Sequence, residues 1–159
     1  MEGFEIIRAT VEDEQTLCEM FLKHITAHPE YISHGEIQMG VGEGEFEDGV
    51  LVARPSSRAR ECWMRYIHAD MTADDAAVFK AVTPDGEIIG FTVAEIQEDG
   101  AEPFGMVCDV LVDESLRCGG VGTTLLQTAL GWFREMGIKD IYLESGLNNR
   151  AAHEYFMRR

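Results

Sequence analysis

The sequence predicts an α+β domain with a mostly antiparallel sheet. Three observations carry this expectation. Residues 77–96 spell a β-hairpin, two apolar runs flanking the turn Thr83-Pro84-Asp85-Gly86-Glu87. The apolar run Phe104–Val112 leads through a glycine-rich turn into a segment with helical periodicity. The length, 159 residues, suits a single domain, 1–159, with one sizeable core.

The elements follow in order. Phe4-Glu5-Ile6-Ile7-Arg8 alternates like a half-buried strand. Thr10 reads as an N-cap, with Asp13 as a short capping-box partner. From Val11 to about Thr26 the apolar positions Leu17, Met20, Phe21, Leu22 and Ile25 keep helical spacing. Between 27 and 75, Gly35, Gly40, Gly42, Gly44 and Gly49 interrupt any long periodic element, and the acidic run Glu43–Asp48 reads as a solvated loop. After the breaker Pro55, Ser57–Met71 predicts an amphipathic helix carrying Cys62, Trp63, Tyr66 and Ile67. Strands follow at Ala77–Val82 and Ile88–Ile96, then a loop at Gln97–Pro103 and the strand Phe104–Val112. Gly119–Gly122 opens a helix with an apolar face of Leu125, Leu126, Ala129, Leu130, Trp132, Phe133 and Met136, and Gly137 is its expected terminator. A strand at Ile138–Glu144 and a last helix from Asn148 or Asn149 to Arg159 complete the reading.

Composition narrows the function classes. Hydrophobic residues make up 45% and charged residues 26%, the balance of a soluble globular fold. No apolar run reaches the length of a membrane span, and the acidic start Met1-Glu2-Gly3-Phe4-Glu5 lacks a signal-peptide pattern. Cytoplasmic residence without a membrane partner is the expectation. Cys18, Cys62, Cys108 and Cys118 have no metal-site or redox-motif spacing and read as reduced core or loop residues. His24, His28, His34, His68 and His153 are scattered, so no metal is expected. The net charge of −16 argues against nucleic acid and fits a cationic small-molecule or protein partner.

The chemistry concentrates in Asp109–Thr123. Backbone N–H groups at a helix start have no intrahelical partner, and with the helix dipole they hold anions. Glycine lets a phosphate approach the backbone, and Arg117 can add a charge-assisted bond. The Walker A pattern fails because no Lys follows Gly122. The dinucleotide fingerprint fails because Leu125 stands where the third glycine belongs.

What remains is Arg117-x-x-Gly120-x-Gly122, between a strand and an amphipathic helix, followed by Asn149-Arg150-Ala151-Ala152. On these residues the chain resembles the GNAT N-acetyltransferase superfamily over nearly its whole length. The resemblance implies a central, mostly antiparallel sheet flanked by helices, with acetyl-CoA as co-substrate and an amine as acceptor. It implies that the backbone of Val110, Leu111 and Val112 pairs with the pantetheine arm. The turn Arg117, Cys118, Gly119, Gly120, Val121, Gly122 and Thr123 would hold the pyrophosphate. Asn149 and Ala152 would line the thiol end. The amide of Val110 or Leu111 would bind the oxyanion, and the 27–75 excursion, with His34 or His68, would lie near the acceptor's mouth.

Asp109 is the candidate base or amine anchor, being a carboxylate in an otherwise apolar strand; a structural Asp bonded to nearby amides is the competing reading. Glu95 is a second candidate, expected to face solvent. Tyr155 is the candidate acid, although the family's usual tyrosine position is held here by Phe156. An acetyltransferase is therefore expected, with a catalytically weak CoA-binding sensor or interaction module as the alternative. The family normally continues beyond Met157-Arg158-Arg159 with two more strands, which the chain as written lacks. The strand at 138–144 is then expected to have an open edge, covered by a longer reading frame, by a second copy in a homodimer, or by residues 27–75.

Overall fold

A computed structural model of the protein describes residues 3–27, 40–98, 102–113 and 120–143. They fall into two compact units, one of residues 3–13 and 68–143, the other of residues 14–27 and 40–67.

The first unit is built on a five-stranded sheet in the order β1-β4-β5-β6-β7. Its strands are β1 (Glu5–Arg8), β4 (Ala76–Val82), β5 (Ile88–Gln97), β6 (Phe104–Val112) and β7 (Ile141–Leu143). Pairing is antiparallel from β1 through β6, and β7 joins β6 in parallel. The expected mostly antiparallel α+β sheet is thus present, hairpin included. The Thr83–Glu87 turn closes as read, the Thr83 hydroxyl accepting the Glu87 N–H.

At the other end of β1, the Asp13 carboxylate accepts the Thr10 N–H at 2.9 Å, which is the capping partner expected. It also binds the Lys80 ammonium of β4 at 2.9 Å. Burial pushes the Asp13 carboxyl up, but the hydrogen bonds and charge from Lys80 and Thr10 outweigh it and hold the group below its ordinary value.

One helix of this unit, Val121–Glu135, packs on the sheet through Val121, Leu125, Leu126, Ala129, Trp132 and Phe133, all buried. Met136, expected on that face, is instead the exposed C-cap. Gly137 takes φ 78°, with its N–H on the Arg134 carbonyl, and the Ile138 N–H reaches back to Phe133. This pair of bonds satisfies two helix-end carbonyls. It also explains why β7 starts at Ile141 rather than at Ile138, since Ile138 is consumed by the cap.

Gly105 is where the helix comes nearest the sheet. A Cβ there would lie 2.7 Å from the Phe133 ring, which is fully buried. Gly105→Ala is therefore expected to cost about 1–3 kcal/mol of stability through overpacking. Urea unfolding would read the loss; an unchanged midpoint would show that the ring moves aside without cost.

The second unit contains α1 (Glu14–Ala27), the hairpin β2 (Gly42–Glu47) and β3 (Val50–Pro55), and the larger part of α2 (Ala59–Thr72); the sheet helix Val121–Glu135 is α3. Phe21 of α1 stacks on Trp63 of α2 with ring centroids 4.9 Å apart, and Glu19 pairs with Arg60. Cys18 and Cys62 are buried. The hairpin corrects the expected acidic loop. Glu43–Glu47 belongs to β2, and Glu43, exposed, pairs with Arg54 of β3. The strands turn at Asp48-Gly49, both with positive φ (51° and 81°), as a two-residue hairpin turn requires.

Candidate active site

The site is organised by an irregularity in β6. Val93 of β5 is opposite Asp109, but Ala94 is opposite Val107, so Cys108 is an extra residue on β6. Such a bulge shifts side-chain alternation by one. Before it, Gly105 faces Phe133 of α3; after it, Val110 and Val112 pack on the cluster that includes Val121 and Leu125 of the same helix. Asp109 is thereby carried to the opposite face of the sheet. The carbonyl of Asp109 is covered on the α3 side by the buried Thr92 hydroxyl, which donates to it at 2.7 Å.

The outer edge of β6 opens at the same point. Its pairing with β7 covers Gly105–Val107 only, so among the described residues Cys108–Val112 have no strand partner on that side. The Asp113 N–H bonds the Ile89 carbonyl of β5 at 2.9 Å. Backbone groups alternate sides along a strand, so Leu111 turns its N–H toward β5, while Val110 and Val112 turn theirs toward the open edge. Of the two amides expected to bind an oxyanion, this orientation favours Val110 over Leu111.

β6 runs on toward the start of α3. Gly120 is the N-cap, exposed, at φ 81°; among the described residues no side chain caps the helix there and no atom lies within 4 Å of where a Cβ would stand. Gly122 touches Val112 only at ordinary contact distance. The first-turn amides of α3 are thus unshielded by side chains of Gly120 or Gly122. Arg117, Cys118, Gly119, Asn149, Ala152, Tyr155 and His34 lie outside the described residues. His68 is exposed on α2.

On the Asp109 face, three carboxyl groups converge. Asp70, near the C-terminal end of α2, is 8% exposed and hydrogen-bonds Glu95 of β5. Burial, that hydrogen bond, and the charges of Glu95, Asp109 and Asp75 push the Asp70 carboxyl up to about 9. Glu95 also accepts the Gln97 side-chain N–H at 2.8 Å. The expectation that Glu95 faces solvent is corrected: it is half-buried and turned toward Asp70. Asp70 itself escaped the sequence reading, although it lies seven residues after Trp63 and three after Ile67, on the buried stripe of α2, and that spacing was the signal that could have found it.

The family model for the Acetyltransferase (GNAT) family matches residues 48–159. The chain belongs to the GNAT acetyltransferase family. An aminoglycoside N(6')-acetyltransferase type 1 from Stenotrophomonas maltophilia is 31% identical to this GNAT chain over 84 residues, covering 50% of the chain and 55% of the relative. The chain thus matches about half the length of that curated relative. Among solved structures, the aminoglycoside acetyltransferase AAC(6')-Iy in complex with CoA superposes with a TM-score of 0.69 at 16% identity, covering 98% of this chain and 86% of that one. Glucosamine-6-phosphate N-acetyltransferase from Arabidopsis thaliana gives 0.62 at 16% identity, covering 97% and 90%. At such identities these two likenesses speak for the fold. No described helix is long and apolar enough to cross a membrane.

Proposed function

We propose that the protein is an N-acetyltransferase that moves the acetyl group of acetyl-CoA to a primary amine of a small molecule or protein, by direct attack in a ternary complex. The observation that carries this reading is the edge of β6 from Cys108 to Val112, unpaired among the described residues and running toward the N-terminus of α3 with Asp109 on the same strand. An extended pantetheine arm adds to such an edge as a strand would. In this reading the backbone of Val110, Leu111 and Val112 holds the arm. The turn from Arg117 to Thr123 holds the pyrophosphate, and Asn149 and Ala152 line the thiol end.

The amine nitrogen attacks the thioester carbonyl carbon, the carbonyl oxygen takes the electron pair, and the Val110 N–H stabilises it. Collapse of the intermediate breaks the C–S bond. The nitrogen's proton passes to Asp109, and the thiolate takes one from Tyr155. A free alkylammonium titrates near ~10. The carboxylates around Asp109 hold the acceptor as an ammonium, which has no lone pair, so it first gives one proton to solvent and attacks as the free amine; the proton that passes to Asp109 on collapse is the second.

An amine of a polycationic sugar is the first acceptor to try. The Stenotrophomonas relative is an aminoglycoside acetyltransferase, and the net charge of −16 suits a cation. A panel of aminoglycosides, polyamines and peptide amines, assayed with acetyl-CoA by thiol release, tests the activity. Amine-dependent release is expected, and acetyl-CoA binding with no release for any amine would overturn it. Charge attraction is screened over about 8 Å at physiological salt. The apparent KM for a cationic acceptor should therefore rise between low and high salt, and a salt-independent KM would remove charge steering from the reading.

A further inference from the structure

The carbonyl of Asp109 and the N–H of Val110 belong to one peptide group. That peptide is trans, so the two point in opposite directions. The alternation fixed by the bond from Asp113 to Ile89 turns the Asp109 carbonyl toward β5. The Val110 N–H is turned the other way, to the edge of β6 that is unpaired among the described residues. Whatever binds the carbonyl therefore acts on the amide behind it.

What binds it is the Thr92 hydroxyl, at 2.7 Å. A carbonyl oxygen can only accept, so the hydroxyl donates. Glu14, Asp70 and Thr92 are the buried polar side chains among the described residues, and Thr92 alone is wholly inaccessible, at 0%. Its neighbours on β5, Phe91 and Val93, are buried as completely. A valine would suit such a strand position and bring no hydroxyl to satisfy.

The bulge at Cys108 gives the hydroxyl a use. A bulge disrupts the ladder locally, and the 109–110 peptide comes directly after the extra residue. A side-chain donor on its carbonyl fixes the peptide plane. It also draws electron density toward the oxygen, which makes the N–H at the other end a stronger donor.

We propose that Thr92 is a positioning residue for acetyl transfer: its buried hydroxyl orients and polarises the 109–110 peptide so that the Val110 N–H meets the thioester carbonyl. No covalent bond changes and no proton is transferred. The proposal rests on the reading of β6 as the acetyl-CoA edge and deepens it. A group that never touches the substrate then sets the strength of the oxyanion contact.

The test is infrared difference spectroscopy of acetyl-CoA carrying 13C at the thioester carbonyl, bound to the parent and to Thr92 variants without an acceptor. A hydrogen bond to that carbonyl lowers its stretching frequency, so a downshift on binding is expected in the parent. Thr92→Val is close to the same size and has no donor. It is expected to lose about 10–30% of the downshift through polarisation alone, and more where the peptide plane also turns. Thr92→Ser keeps the donor and deletes a buried methyl. It is expected to keep the downshift while melting below the parent.

The two variants separate the hydroxyl from the stability of the fold. A merely structural Thr92 would change the melting temperature and leave the carbonyl frequency alone. Thr92→Cys, a weak donor, is expected between Ser and Val, and its comparison with Ser carries the test if the Val variant does not fold. A downshift independent of the donor, or one that Ser loses as fully as Val, overturns the proposal and spares the acetyl-CoA edge. No downshift in the parent overturns the Val110 oxyanion contact and the proposal with it.

Discussion

Asp109→Asn is expected to lower kcat by about a hundredfold or more while leaving acetyl-CoA affinity and thermal stability near the parent's. The magnitude is that of a lost general base. The separation of effects follows from the geometry. One tertiary anchor at this position is the main-chain carbonyl, bound by the Thr92 hydroxyl, and Asn keeps that carbonyl. The isosteric amide also removes a negative charge from a face already crowded with Asp70 and Glu95, which relieves repulsion. Steady-state kinetics across pH, with melting of both proteins, would check it. Equal kinetics at every pH would remove Asp109 from the chemistry, and a lower Tm with normal turnover per folded molecule would make it structural.

Gly120→Asn is expected to weaken acetyl-CoA binding tenfold or more, a change of about 1.4 kcal/mol at least. Gly120 takes φ 81°, a region that Asn enters with little penalty. Among the described residues nothing stands within 4 Å of the new Cβ, so they do not resist the change. A pyrophosphate seated on the first turn of α3 would resist it. Gly120→Val is a poorer probe, because a β-branched residue there adds backbone strain of about 1–2 kcal/mol and confounds folding with binding. Calorimetry on the folded Asn variant decides: parent-like affinity would show that this turn is not where acetyl-CoA binds.

The order of elements was legible because the chain repeats its message at several levels. The β4–β5 hairpin has turn residues and two apolar runs, α3 has its glycine start and Gly137 stop, and β6 has bounds that match Phe104–Val112. The β2–β3 hairpin was missed because Gly42 and Gly44 read as breakers and their strand alternates with glutamates. Its Asp48-Gly49 turn, ahead of Val50-Leu51-Val52, was the signal that could have found it.

The site was legible only along one dimension. Asp109 stood out as a charge in an apolar strand, and the glycine turn stood out by spacing. Glu95 and Asp70 did not, because their encounter depends on where the end of α2 meets β5, a tertiary fact with no local signature. Nor does a sequence reveal that β6 slips by one residue against β5 at Cys108.

That slip makes the reading frame of β6 as important as its letters. Gly105 is fixed beneath the Phe133 ring, and Val110 and Val112 are fixed beside Val121 and Leu125, so the strand is pinned on both sides of the extra residue. Removing Cys108 alone would leave those pins out of step. Either the carboxylate of Asp109 would be driven under α3 or Val110 would be turned out among acids. Substitutions along this strand can be absorbed one at a time. A single-codon deletion cannot, and lineages carrying this domain should vary in the identity of the bulged residue far more readily than in its presence.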